Sequence, residues 1–446
     1  MGVTAGAATI FALSSGQGRA GVAVVRMSGP AAREVLERMA APCPRPRFAA
    51  LRRIKHPASG ELLDQGLVLW FPGPKSETGE DMAELHVHGG RAVIGAVLQA
   101  LAGIAECRLA EPGEFARRAF EHAKIDLTAA EGLADLIDAE TAAQRRQALR
   151  QCGGALAERY SAWRHRLLEA MALLEAAIDF SEEADVARDA AGAARDRVEA
   201  LLGEIAEHLD DGHRGELIRE GFMVVLAGPP NVGKSSLLNA LARREVAIVS
   251  PEAGTTRDVI EIKLDLEGLP IIVSDTAGIR EAEGMVEQEG IRRSFGRARA
   301  ADLVLWLTDA SAPIESPLSV PADRLLRVAN KCDLLQGRAL QPPVGSSIAV
   351  SARTGFGLER LTRQIAATAR ARMGETESPV LTQARHRLQL EHCRAALSSF
   401  LSAPIEEVEL RAEDLRRAAQ AIGRVIGAVD VEDVLDKIFS RFCIGK

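Results

Sequence analysis

The sequence predicts a multidomain chain of α+β and α/β class: an N-terminal α+β domain, a discontinuous α-helical domain, and an α/β domain inserted between the two helical segments. Three observations point there. Residues 1–124 alternate short apolar runs with Gly/Pro punctuation, the stretch from Leu127 changes to a 3.6-residue period, and from Met223 short apolar runs each end in a polar tetrapeptide. A chain of 446 residues suits about three domains, each large enough for its own core.

In the first region Gly21–Arg26, Gly66–Phe71 and Ala83–His88 read as strands, and Pro30–Met39 and Ala92–Ala102 as helices. Next, Leu149, Leu156, Tyr160, Trp163, Leu167, Met171, Leu174 and Ile178 recur at spacings of three, four and seven, which predicts one long amphipathic helical stretch. The same period resumes through Leu381, Leu388, Leu390, Leu397, Leu415, Ile422, Ile426, Val434 and Ile438. Between the two, Ile260, Ile262, Leu264 and Leu266 alternate with Glu261, Lys263, Asp265 and Glu267, an antiparallel strand that turns at Gly268 into Pro270–Ser274. The expected segments are 1–124 for the α+β domain, 125–214 and 373–446 for the helical domain, and 215–372 for the insertion. Insertion is tolerated where the inserted unit's ends lie close together.

The inserted region carries the chemistry. Gly228-Pro229-Pro230-Asn231-Val232-Gly233-Lys234-Ser235 is a complete G-x-x-x-x-G-K-S loop between the apolar run Met223–Ala227 and the helical Ser236–Leu241. Its glycines let the backbone wrap phosphates, the helix N-terminus faces negative charge, Lys234 reaches β/γ oxygens, and Ser235 can ligate Mg²⁺. Asn330-Lys331-Cys332-Asp333 closes the strand-like Leu325–Ala329, where open α/β sheets bind ligands. The Asp333 carboxylate can accept both N1–H and the exocyclic amine of guanine, so the base is guanine and the nucleotide GTP or GDP. Ser351-Ala352-Arg353 supports the base from behind. Asp275-Thr276-Ala277-Gly278 ends another apolar run; Asp275 is expected to hold Mg²⁺ through water and Gly278 N–H to sense the γ-phosphate. Thr255 and Thr256 supply hydroxyls, Thr256 to Mg²⁺ by analogy with GTPases generally. Five such elements in order are specific where each alone is weak.

The residue after this Asp-x-x-Gly is Ile279, which cannot orient an attacking water. Something else must organise hydrolysis: the acidic stretch Glu281, Glu283, Glu287, Glu289, or the polar Asn231 of the phosphate loop. As a solvated loop face and a turn residue, both also have a bland reading.

Composition excludes some classes. No run of eighteen uncharged apolar residues occurs and the N-terminus lacks a basic n-region, so the expectation is a cytoplasmic protein without membrane insertion. The six cysteines form no C-x-x-C pair, against a disulfide framework or structural zinc. His86 and His88 share a strand face but have no third ligand nearby in sequence. A net charge of −7 gives no global pull toward nucleic acid. RNA contact would fall on local patches, Arg45, Arg47, Arg52, Arg53 and Lys55, or Arg292, Arg293, Arg297 and Arg299, which otherwise read as solvated faces.

Together with Gly254-Thr255-Thr256-Arg257-Asp258, the motifs Thr78-Gly79-Glu80-Asp81, His88-Gly89-Gly90, Glu111-Pro112-Gly113-Glu114-Phe115, Lys124-Ile125-Asp126-Leu127, Asp135-Leu136-Ile137-Asp138-Ala139 and Cys443-Ile444-Gly445-Lys446 resemble the MnmE (TrmE) family of tRNA-modification GTPases over essentially the whole chain. The resemblance implies a folate-binding, dimerising N-terminal domain and a Ras-like P-loop GTPase insertion. It also implies a homodimer that acts with the flavoprotein MnmG on C5 of the wobble uridine of tRNA. The one-carbon unit would come from a tetrahydrofolate derivative (5-formyl or methylene), the amine from ammonium or glycine, and flavin would sit only on the partner. Carried over by position, the folate site falls on Arg26, Glu84, Lys124 and Lys446. K⁺ would be bound by Asn231, Ser250, Glu252 and Thr255; Glu287 would position the water, with Lys234 and Asn231 completing the catalytic set. Phosphate contacts would extend to Ser236. The tail would lie near the folate site, and neither Gly445 nor Lys446 suits a prenylation box.

Two other readings compete. A ribosome-assembly or RNA-binding regulatory GTPase would lack folate affinity. A GTP-driven membrane-remodelling protein would need a lipid-binding helix that the sequence does not offer.

Overall fold

The computed structural model describes residues 8–16, 18–179, 184–244, 247–248, 261–275, 300–312, 314–316, 320–335, 347–374, 380–404, 407–429 and 432–445. These divide into two compact units: residues 1–134, 152–164 and 422–446 in the first, 135–151 and 165–421 in the second.

The first unit is built on a six-stranded sheet. Its strands are β1 (Thr9–Leu13), β2 (Ala20–Ser28), β3 (Ala50–Lys55), β4 (Leu62–Phe71), β5 (Met82–Gly89) and β6 (Cys107–Leu109), in the order β3-β4-β5-β2-β1-β6. The pairs are antiparallel except β1 with β6. Strand periodicity sends Val25, Met27, Ile54, Val68, Leu85 and Val87 to one face. There they meet Leu36, Met39, Val97 and Leu101 of the helices Ala32–Ala40 and Arg91–Ala102. The alternate residues, Leu51, Leu67, Glu84, His86, Val24 and Arg26, lie on the opposite face and are partly or wholly exposed.

The same unit holds the end of the chain. Leu435, Ile438, Phe439 and Phe442 pack with Ala116, Leu127 and Ala130 in a separate apolar cluster. Beyond them Ile444 bridges Pro112, and Ser14 Oγ donates to the Gly445 carbonyl at 2.9 Å. Gly445 has φ of 104° and so close an approach to Leu13 and Ser14 that a Cβ would overlap their backbone.

The second unit contains a seven-stranded sheet of β7 (Phe222–Ala227), β8 (Ala247–Ile248), β9 (Glu261–Leu266), β10 (Leu269–Asp275), β11 (Leu303–Asp309), β12 (Leu325–Asn330) and β13 (Ser347–Ala349). The order is β13-β12-β11-β7-β10-β9-β8, parallel from β13 to β10 and antiparallel beyond. The hairpin at Gly268 forms as the alternation predicts, pairing Leu269 with Leu266. Val224, Leu226, Ile271, Val273, Leu305 and Val328 pack against Leu237, Leu241, Leu361 and Ile365 of the helices Lys234–Ala242 and Leu358–Met373. The unit also contains the helices Ala184–Leu209, Ala384–Ser402 and most of Val408–Ile426. Among the described residues, no helix is long and apolar enough to cross a membrane.

Two helical expectations need correction. The stretch from Leu149 to Ile178 is two helices, Ala142–Cys152 and Ala155–Asp179, because Gly153-Gly154 interrupts it and Gly154 adopts φ of 84°. Leu156, Tyr160, Trp163, Leu167 and Leu174 are buried as the period requires, whereas Leu149 and Ile178 face solvent. Leu388 is 50% exposed. On that helix the buried stripe is His386, Leu390, Cys393, Leu397 and Phe400, and a residue two positions before Leu390 points away from it.

Candidate functional site

The phosphate loop connects β7 to the helix Lys234–Ala242. Asn231 sits at φ of 61°, a region Asn tolerates, with its side chain exposed. Gly233 sits at φ of 92°, where a Cβ would lie 2.5 Å from Asn330 Nδ2. Lys234 Nζ donates to the carbonyls of Gly228 and Pro229, each at 3.0 Å, so the ammonium is held over the loop where a β/γ-phosphate would compete for it. Burial pulls its pKa below the ordinary lysine value, against the attraction of Asp275.

Strand ends supply the other groups. Asp275, 2% exposed, closes β10 in register with Leu226 of β7, and one of its oxygens accepts from Ser235 Oγ at 2.7 Å. A hydroxyl and a carboxylate this close offer the hard oxygen donors that Mg²⁺ takes. Asn330 closes β12. Its Nδ2 donates to the Val232 carbonyl at 2.9 Å and its Oδ1 accepts from Ala352 N at 3.1 Å, so one buried amide joins three sequence motifs. Asp333 Oδ1 accepts from Ser351 Oγ at 2.7 Å, leaving the carboxylate room for further donors such as a guanine edge. Ser236 lies in the first turn of the helix Lys234–Ala242 and Arg353 follows Ala352, both exposed.

Asp309 was not foreseen. It closes β11, and Lys331, at φ of 63°, reaches it at 3.0 Å. Ser311 hydrogen bonds come first among the effects that hold the Asp309 carboxyl below its ordinary value, burial opposes them, and Lys331 adds to them. The run Leu303–Thr308 ending in Asp was its sequence signal, of the same form as the runs ending in Asp275 and Asn330.

Several expected residues lie outside the described ones: Ser250, Glu252, Thr255 and Thr256; Thr276, Ala277, Gly278 and Ile279; Glu281, Glu283, Glu287 and Glu289; the second basic patch; and Lys446. Of the folate set, Arg26 and Glu84 are brought together on facing strands, Nε to Oε1 at 3.2 Å, with Glu77 also on Arg26 at 2.9 Å. Lys124 instead donates to the Pro74 carbonyl at 2.9 Å, in the loop that carries Glu77. His86 and His88 pair separately with Glu84 and Asp64. Among the described residues no group of three or more His, Cys, Asp or Glu is placed to hold a metal.

A further polar network was missed. Arg118, 3% exposed, binds Glu80 at 2.9 Å and Glu114 at 3.0 Å. Arg108 binds Glu114 at 2.5 Å, and Ser28 joins Thr78 to Glu80. Burial raises the Glu114 pKa, but hydrogen bonds from Arg108, Glu111 N–H and Arg118 outweigh it and hold the carboxyl below the usual range. The motifs around Glu80 and Glu114 therefore carry a buried ion-pair chain that fastens the helix Glu114–Glu121 to the sheet.

A parallel sheet with a Gly-rich loop entering a helix, Asp275 at one strand end beside that loop and the Asn330–Asp333 motif at another define a P-loop GTPase domain. The chain matches the family models described as MnmE helical domain over residues 127–443 and GTP-binding protein TrmE N-terminus over residues 9–124. It is 52% identical to the tRNA modification GTPase MnmE of Rhodopseudomonas palustris over 442 residues, 98% of this chain and 99% of that one. It is also 52% identical to the protein of that name from Parvibaculum lavamentivorans, over 98% of this chain and all of the relative. The chain belongs to the MnmE family of tRNA modification GTPases. Among solved structures, Aquifex aeolicus Era bound to GDP and aluminium fluoride is 26% identical over 39% of this chain and 66% of its own, at a TM-score of 0.26, a likeness too slight to carry weight.

Proposed function

We propose that this protein is a K⁺-dependent GTP hydrolase of tRNA modification, acting as a homodimer with an MnmG-type flavoprotein to install a (carboxymethyl)aminomethyl group on C5 of the wobble uridine, with the one-carbon unit drawn from a tetrahydrofolate. The functional segments are 1–124, 125–214, 215–372 and 373–446. The observation that carries the reading is identity of half the residues with proteins named for tRNA modification, along the full length rather than in the GTPase insertion alone. A chain related only through its nucleotide pocket would support the regulatory-GTPase alternative equally well.

The residues present fit the implied groups. Ser235 and Asp275 offer Mg²⁺ hard oxygen donors; Mg²⁺ would neutralise charge on the β- and γ-phosphates. Asn231 offers K⁺ an exposed side chain beside the loop that Lys234 crosses. Lys234 binds phosphate oxygens, and Glu287 orients water in place of the apolar Ile279. On the open sheet face, the Arg26 guanidinium suits a folate's glutamate and the Glu84 carboxylate its amino-pterin edge. The chain's tail runs beside β1, whose Ala12 is in register with Arg26.

The test is a nucleoside profile of tRNA from a strain lacking this protein, complemented with the native gene. Loss and recovery of the C5-modified wobble uridine is the expected result; an unchanged profile removes the reading.

A further inference from the structure

We propose that β3 and the loop leading into it form an RNA-binding edge, which deepens the tRNA-modification reading and rests on it. Residues 41–60 contain Arg45, Arg47, Arg52, Arg53 and Lys55 and not one Asp or Glu, in a chain whose net charge is −7. β3 is the terminal strand of its sheet, paired on one side only, with β4. Arg45, Arg53 and Lys55 are exposed. Arg52 is half-buried and oriented, Nε donating to the Pro42 carbonyl at 2.9 Å and Nη1 to that of Leu51 at 3.0 Å, which leaves Nη2 for an outside acceptor. Among the described residues none of these four cations has a carboxylate partner. Arg47 is different: it donates to the Lys75 carbonyl and lies 5.7 Å from the Phe71 ring centroid, a fixed structural role.

Cations on an edge strand have a structural use, blocking pairing with another sheet. One or two suffice for that, and it requires neither the exclusion of acids over twenty residues nor an exposed aromatic. Phe48, two residues before the strand, is 65% exposed, and Leu51 58%. An aromatic face set among unpaired cations matches a nucleic acid, whose bases stack on the ring while its phosphates meet the charges. An acidic protein segment would use the charges and leave the ring unexplained. The Arg26–Glu84 pair lies on the same sheet, Glu84 on β5 and Arg26 on β2, with β4 between Glu84 and β3. At about 4.8 Å per strand, this puts the basic edge roughly 10 Å from Glu84 and roughly 14 Å from Arg26, so an RNA held on the edge lies within a few nucleotides' reach of the pair.

The test uses the full-length protein and an unmodified tRNA transcript, with fluorescence anisotropy over a range of KCl concentrations. The variant R45Q/R52Q/R53Q/K55Q is expected to bind at least about tenfold more weakly at physiological salt, with the magnitude of the slope of log K against log salt reduced by about 3, since each of the four lost phosphate contacts removes about 0.7–0.9. Phe48→Ala is expected to weaken binding at least about fivefold with the salt slope unchanged. Circular dichroism and thermal unfolding of both variants should match the native protein, which shows that they fold. Native-like RNA affinity in both variants overturns the proposal while leaving the modification reading to its own nucleoside test. Loss of binding to a poly-glutamate peptide with RNA binding intact assigns the edge to an acidic protein and overturns it equally. No RNA binding by the native protein overturns it outright.

Discussion

Asn330 Nδ2 donates to the Val232 carbonyl at 2.9 Å, tying the end of β12 to the phosphate loop while the same amide's Oδ1 accepts from Ala352 N. The phosphate-loop motif and the Asn330 and Ser351–Arg353 motifs are thus held together by one side chain that is 1% exposed. Asn330→Ala leaves a carbonyl and an N–H without their partner, about 1–3 kcal/mol for each group that stays buried. The expected result is GTP and GDP affinity at least about tenfold weaker by equilibrium titration, in equal measure for both. A loss confined to GTP would mean that the amide serves the γ-phosphate instead.

Hydrolysis is expected to depend on K⁺, because Ile279 has no polar atom with which to orient water. Exchanging K⁺ for Na⁺ at constant ionic strength should slow turnover at least about tenfold, or about 1.4 kcal/mol of transition-state stabilisation. Asn231→Ala in K⁺ should reproduce the Na⁺ rate. Equal rates in both salts would refute the assignment.

Glu287→Ala should lower kcat about a hundredfold with nucleotide affinity nearly intact, the pattern of an interaction made in the transition state. Glu281→Ala and Glu283→Ala should do little. If Glu287→Ala abolishes GTP binding, the residue is structural.

The tail and the GTPase chemistry are expected to separate. Residues 444 and 445 contact Pro112 and Ser14 within the first unit. Deleting Cys443 to Lys446 should weaken binding of a formyl-tetrahydrofolate by calorimetry and abolish modification while GTP hydrolysis persists. Unchanged folate affinity would sink the shared site.

Glu114 gives the first unit a pH dependence. Its folded pKa is depressed below 4.5, so its contribution is present above that unfolded value and is lost as pH falls through the folded one. Glu114→Gln removes one partner of a buried pair with Arg118 and Arg108 and should cost about 3–5 kcal/mol at neutral pH. Hydrogen exchange of β1 and β6 amides reads this locally. In the variant, protection should be lower at pH 7 and should decline less on going to pH 3; a decline as steep as the native protein's would assign the acid lability to other carboxylates.

The phosphate loop, the Asp275 and Asn330 strand ends and the Gly268 hairpin were legible in the sequence because each is a contiguous segment whose spacing is its geometry. The helix break at Gly153-Gly154 was legible in principle, since two glycines end a helix more strongly than a shared apolar period continues it. Leu388 was not, because two apolar residues two apart cannot both face one neighbour, and the choice belongs to whichever stripe packs. Sequence alone therefore determined the nucleotide and the family, through residues adjacent in the chain. Only tertiary structure decided that Lys331 meets Asp309, that Asn330 holds Val232, that Arg118 joins Glu80 to Glu114, and that the chain's end returns to β1. These are meetings between segments distant in sequence, and no local propensity or period encodes which buried charge or backbone group will need a partner until the core has closed around it.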